Sequence, residues 1–207
     1  MRIVLLSLLL VALPACGVST EKFARAVIDG DRDAVKQMID HGANPSVRFG
    51  GDPLVLIAAH KGHEGVVRDL IEGGADVNAD NGGKTALLAA TQQNRPGCVG
   101  ALIEAGADVD AIGYGNTALM LASELGHQEC LDLLINANAD TDRQNQKGWT
   151  AAMFAAYHGN QAVLTSLIEG GADLNLRAKN GVTALGYAYM KRRSDCADQL
   201  VAAGATK

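Results

Sequence analysis

The sequence predicts an all-α solenoid of about six helix-turn-helix units stacked in a row and joined by β-hairpin-like turns. Three observations predict it. Short sequence markers recur every 32 or 33 residues over most of the 207-residue chain. The composition is 48% hydrophobic but only 4% aromatic, which suits short, closely stacked helices better than strands that want β-branched and aromatic side chains. Each period also holds apolar residues at helical spacing, punctuated by glycine.

The clearest marker is Gly74-Ala75-Asp76-Val77-Asn78, nearly copied at Gly106-Ala107-Asp108-Val109-Asp110 and Gly171-Ala172-Asp173-Leu174-Asn175. Gly42-Ala43-Asn44, Asn138-Ala139-Asp140 and Gly204-Ala205 are weaker copies. Positions 42, 74, 106 and 138 are spaced by 32, and 138, 171 and 204 by 33. A second marker keeps phase with it: Gly30-Asp31, Gly62-His63, Gly126-His127 and Gly159-Asn160, with Asn94-Arg95 and Arg192-Arg193 as degenerate members. A third is the Thr-Ala pair at Thr85, Thr117, Thr150 and Thr183.

Each marker has a physical role. The threonines stand where a hydroxyl caps a helix start. A first helix of about eight residues follows, small on one face (Ala58, Ala59, Ala155, Ala156), and Gly62, Gly126 or Gly159 ends it. A second helix carries paired apolar residues such as Val66, Val67, Leu70 and Ile71 until Gly74, Gly106 or Gly171 stops it. The stretches Asn81-Gly82-Gly83, Lys147-Gly148 and Asn180-Gly181 then form projecting turns. No unit buries its apolar face alone, so stability comes from stacking.

The order T-A-L…A-A-x-x-G-H…L-I/L-x-x-G-A-D-V-N resembles the ankyrin repeat, a unit of 33 residues with a β-turn and two helices, over residues 21–205. Ala follows Thr where that family more often has Pro. The resulting division is an N-terminal capping unit at 21–49, units at 50–81, 82–113, 114–146 and 147–179, and a C-terminal capping unit at 180–207. Lys22, Arg25, Asp29 and Asp31 give the first cap a solvated face, and Lys191-Arg192-Arg193 do so for the last.

Residues 1–16 read as an export signal: Arg2, an apolar run from Ile3 to Leu13, then Leu13-Pro14-Ala15-Cys16. The run is too short for a comfortable membrane span. Its end resembles the bacterial lipobox, with Pro14 where Ala, Ser or Thr is commoner. That resemblance implies lipidation of Cys16 and a short tether at 17–20, with several acyl chains giving a stable anchor. Gly17 in place of Asp favours the outer membrane over the inner. An ordinary secretory signal cleaved after Ala15 is the other reading.

The chemical residues fall into the repeat. Cys98, Cys130 and Cys196 occupy the place of Val66 and are expected to be small buried side chains. Stacked units place equivalent atoms about 10 Å apart, beyond a disulfide's span, and three cysteines leave no complete pairing. His63 and His127 belong to the second marker and are expected to tie down local backbone. No H-E-x-x-H, C-x-x-C or G-x-S-x-G motif occurs, and Gly82-Gly83-Lys84-Thr85 is a turn before a helix cap rather than a phosphate loop. No cofactor, metal or catalytic site is expected. The net charge of -5 and the lack of a basic run disfavour nucleic acid as a partner.

What the ankyrin resemblance implies is a monomer that binds another protein through a concave face of turn tips and first helices. The variable residues there are aromatic toward the C-terminal half. Tyr114, Leu125, Trp149, Tyr157 and His158 are the candidate centre of that patch. Trp149, the only tryptophan, either anchors a partner or packs on Tyr157 or Phe154. With the export signal, the expectation is a periplasmic scaffold or inhibitor held at the outer membrane, either an immunity protein against a periplasmic toxin or an adaptor for an envelope enzyme. A host-directed effector is the alternative, and an enzyme without a recognisable motif a remote one.

Overall fold

The computed structural model describes residues 19–206. The signal segment, Cys16 and the first tether residues, Gly17 and Val18, lie outside the described residues. Ser19 and Thr20, placed in the tether from sequence, instead start the fold: the Ser19 hydroxyl accepts from Lys22 N–H at 3.2 Å and caps the first helix.

The described chain is a series of helix pairs: α1 (Thr20–Asp29) with α2 (Arg32–Asp40), α3 (Leu54–Lys61) with α4 (Glu64–Glu72), α5 (Ala86–Gln92) with α6 (Pro96–Glu104), α7 (Ala118–Leu125) with α8 (Gln128–Asn136), α9 (Ala151–His158) with α10 (Gln161–Glu169), and α11 (Ala184–Met190) with α12 (Ser194–Ala202). Odd-numbered helices stack on one another in one layer and even-numbered helices in a second. The turn tips pair as short antiparallel strands only near the N-terminus, β1 (Arg48–Phe49) with β2 (Asp52–Pro53) and β3 (Asp80–Asn81) with β4 (Lys84–Thr85). The next tip keeps one bridge, Gly113 with Asn116. In the following tip Asn145 N–H bonds Trp149 C=O and the Asn145 carboxamide accepts from Trp149 N–H, so one backbone bond and one side chain take the place of the ladder.

Thr85, Thr117, Thr150 and Thr183 each accept from the backbone N–H three residues on and begin α5, α7, α9 and α11. Pro53 stands in that place before α3 and makes no side-chain cap. Alanines 58, 59, 89, 90, 122, 155, 156 and 188 are fully buried in the first-helix layer, which is why that layer reads as small residues. Thr91 and Ser123 replace alanine there, and each buried hydroxyl donates to the carbonyl four residues back, so neither is left unpaired.

The Gly-Ala-Asp-x-Asn marker is an inter-unit connector. Its Asp accepts from its own turn (Asp76 from Asn78 N–H, Asp108 from Asp110 N–H, Asp140 from Asp142 N–H). Its last residue reaches the next copy: Asn78 accepts from Asp108 N–H at 2.9 Å, Asp110 from Asp140 N–H at 3.0 Å, Asp142 from Asp173 N–H at 2.7 Å, and Asn175 from Thr206 N–H at 2.8 Å.

The second marker also works between units rather than within one, which corrects the expectation for the histidines. His63 meets Ile28 C=O at 2.9 Å and His127 meets Thr91 C=O at 2.8 Å, each a carbonyl of the preceding unit's first helix. Asn160 donates to Ser123 and Glu124 C=O, and Arg193, of a degenerate copy, to Tyr157 C=O, so the job is kept there with different chemistry. The residue just before must turn left-handed. Gly62, Gly126 and Gly159 do so without strain, whereas Asn94 and Arg192 hold φ of 51° and 56°.

Cys98, Cys130 and Cys196 are buried and unpaired with one another. Burial, helped by Glu64 at Cys98 and Glu129 at Cys130, pushes both thiols up to about 11, and burial raises Cys196 too. Folded thiols therefore keep protons that an unfolded chain, with thiols near ~8.5, gives up. Stability is fully present below the unfolded value and declines as pH rises from there through about 11. The urea midpoint should be lower at pH 10 than at pH 7. A Cys98→Val/Cys130→Val variant should lose less over that interval, and native Cys98, Cys130 and Cys196 should resist iodoacetamide at pH 7 until urea unfolds the chain. Equal pH losses in variant and parent would contradict the thiol assignment.

Candidate functional site

The turn tips stand beside the first-helix layer, and between two of them opens a cleft of about 280 Å³. Tyr114, Gly115 and Asn116 form one side, Asn145, Gln146, Lys147 and Trp149 the other, with Glu124 of α7 and Phe154 of α9 at the base. The two tips are tied by Asn145, whose amide donates to Asn116 Oδ1 at 2.8 Å.

Tyr114 is 78% exposed and has φ of 51°. One period earlier the same place in the turn is Gly82, with φ of 61°. Holding an aromatic residue left-handed costs about 1 kcal/mol relative to glycine, and Tyr114 recovers little of it through burial.

Trp149 is half-buried. Its ring packs on Tyr187 at 4.3 Å, Phe154 at 4.9 Å and Tyr157 at 5.2 Å. The packing reading of this residue holds, and the same ring lines the cleft. Tyr157 continues the row to His158 at 5.1 Å, and Lys191 Nζ sits 4.3 Å from the Tyr157 ring centroid. His158 is exposed. Leu125 is exposed at the end of α7 and does not line the cleft, although its neighbour Glu124 does.

Tyr187, absent from the sequence expectation, is 3% exposed and closes the aromatic cluster, its hydroxyl donating to Asn180 Oδ1 at 3.1 Å. The repeat phase held the signal: Tyr187 follows Thr183 by four residues, as Phe154 follows Thr150. Asn145 was also missed, because its role depends on a partner in the neighbouring tip.

Among the described residues no group of three or more His, Cys, Asp or Glu could hold a metal ion, and no helix is long and apolar enough to cross a membrane. His60, half-buried at the end of α3, is held below the usual histidine value by burial, then by the positive charges of Lys84, Lys61 and Arg95, with Asp52 opposing.

The family profile for ankyrin repeats (three copies) matches residues 23–113 and 119–207. Among solved structures, an ankyrin repeat domain from Acinetobacter baumannii AYE is 29% identical with a TM-score of 0.84, covering 91% of this chain and 100% of that one. The ankyrin repeat protein EF0377 is 28% identical with a TM-score of 0.80, covering 86% of this chain and 96% of that one. No curated protein matches the chain. Ankyrin repeat proteins are generally non-enzymatic binding scaffolds. With twelve helices among the described residues paired and stacked as above and both halves matched, the chain belongs to the ankyrin repeat family, a family of protein–protein interaction scaffolds.

Proposed function

We propose that this protein is a scaffold or inhibitor of the bacterial cell envelope, tethered through lipid on Cys16, that holds a protein partner on its turn tips and first helices. The observation that carries the binding half is Tyr114. A large aromatic residue stands exposed where the backbone asks for glycine, beside a cleft walled by Trp149. Strain kept at a solvent-facing aromatic makes sense when something covers that ring. The envelope half rests on the signal segment and its lipobox-like end. An immunity protein against a periplasmic toxin and an adaptor for an envelope enzyme would both use such a surface; an adjoining toxin gene marks the first.

Tyr114→Gly separates binding from folding. It should leave stability unchanged or slightly raised, while a Tyr114→Gly/Leu125→Ala/His158→Ala variant should fail to retain, from envelope fractions, a protein that the parent captures. Palmitate label should enter the parent and not Cys16→Ser. Equal capture by parent and triple variant would sink the binding surface, and absence of label in the parent would sink the anchor.

A further inference from the structure

The net charge of -5 hides a division between the two layers. On the even-numbered layer, α8, α10 and α12 carry Glu129, Asp132, Glu169, Asp195 and Asp198 and no lysine or arginine, while α2 and α4 add Arg32, Lys36 and Arg68, of which Arg32 pairs with Asp69 and Arg68 with Glu64 and Glu104. The opposite sign prevails on the turn tips and first-helix ends, where Arg48, Lys61, Lys84, Lys147, Lys179 and Lys191 stand. The carboxylates on that face are Asp29 at the end of α1, Asp52, Asp80 and Glu124. Asp52 is engaged by the Asn81 amide at 2.6 Å and Asp80 by Gly83 N–H at 2.9 Å.

The lysines are differently placed. Arg25, Arg32 and Arg68 are held in ion pairs, whereas no lysine of this face takes part in one among the described residues. Their positive field is felt within the fold, since Lys84 and Lys61 both oppose a charge on His60. Lys147 lines the Tyr114–Trp149 cleft itself, and Lys191 lies over Tyr157 at the far end of the aromatic row. The Trp149 indole N–H, a donor only, has no hydrogen-bond partner among the described residues.

From this charge division we infer that the partner presents an acidic protein segment, its Asp and Glu side chains meeting Lys84, Lys147 and Lys179 while an apolar or aromatic residue enters the cleft between Tyr114 and Trp149. The inference rests on the binding surface proposed above and adds the chemistry of its occupant. Unpaired cations spaced along the tips suit separated carboxylates. The carboxylates interleaved at Asp52, Asp80 and Glu124 oppose a continuous phosphate backbone. Such pairing acts mainly on encounter and specificity, so it must weaken with salt.

The test uses ¹⁵N-labelled full-length chain titrated with three probes of matched length: an Asp/Glu-rich peptide containing one Phe, its Lys-rich counterpart, and an oligothymidylate. The acidic peptide should move amide resonances of residues 84, 114, 147 and 179 saturably, with affinity falling at least about threefold between 50 and 200 mM salt. Lys84→Glu/Lys147→Glu/Lys179→Glu should abolish the shifts with the fold intact by circular dichroism. Glu129→Lys/Glu169→Lys, which makes the chain more positive on the other layer, should leave them unchanged. Equal or tighter binding of the basic peptide or the oligonucleotide overturns the inference, as does acidic-peptide binding that survives the charge reversal. Envelope capture sensitive to Tyr114→Gly/Leu125→Ala/His158→Ala, but with no response to acidic peptide, refutes this inference alone and leaves the binding surface standing.

Discussion

Leu134→Ala lowers unfolding stability by about 3 kcal/mol and splits the array. Leu134 is fully buried in α8, the second helix of the fourth pair, and its backbone carbonyl also accepts from Ala139 N–H in the turn that leads to the next unit. Truncation removes a buried isobutyl group where neighbours on both sides, α6 and α10, are already in contact with α8 and cannot collapse without sliding. In a linear array each unit is stable only through its neighbours, so a weak link near the middle uncouples the ends. The check is urea unfolding followed two ways. Far-ultraviolet circular dichroism reports all helices, and fluorescence of Trp149, the only tryptophan, reports the C-terminal part. The parent should give coincident transitions and the variant separated ones. A variant that loses less than about 1 kcal/mol, with coincident curves, would show that the fourth pair is not a coupling point.

Trp149→Ala is expected to cost about 2–3 kcal/mol, below the 3–5 usual for a fully buried aromatic because this ring is only half covered. The loss comes from three ring contacts, with Tyr187, Phe154 and Tyr157, which join two successive units through their tips and first helices. Trp149→Phe should keep most of the stability, since a smaller ring still stacks in the cluster. Midpoints from chemical denaturation by circular dichroism measure both. A change below about 0.5 kcal/mol for Trp149→Ala would mean the cluster contributes no cohesion. The practical result is that Trp149→Ala confounds binding with folding, and Tyr114, exposed and strained, is the clean place to interrogate the surface.

The fold was legible because the markers that repeat are the residues that make bonds of fixed geometry. Thr85, Thr117, Thr150 and Thr183 announce helix starts by residue type alone, and all four cap. The cysteines read as buried apolar side chains from their phase with Val66, and all three are buried. What could not be read was the partner of each bond. His63 and Ile28 are 35 residues apart and His127 and Thr91 are 36 apart, so only the stacking of units brings them together. Strand content was illegible for a related reason. Asn81-Gly82-Gly83 and Gly113-Tyr114-Gly115 look like equivalent turns, yet one pairs as a two-residue ladder and the other keeps a single bridge. At the surface, periodic reasoning separated variable from constant positions but not half-buried from exposed ones. It placed Tyr114 and Trp149 alike and passed over Tyr187.

The chain of acceptors at Asn78, Asp110, Asp142 and Asn175 bears on how such a protein changes over generations. Each gives a carbonyl or carboxylate oxygen to the same backbone N–H of the next copy. Asn and Asp serve interchangeably because only an oxygen acceptor is required. An array joined by one repeated chemical handshake can lose or duplicate an internal unit and still present the right oxygen to the right N–H. Length is therefore an easily edited character. The tips, where Gly82, Tyr114 and Lys147 share one place and Lys84, Asn116 and Trp149 another, are where individual identity accumulates.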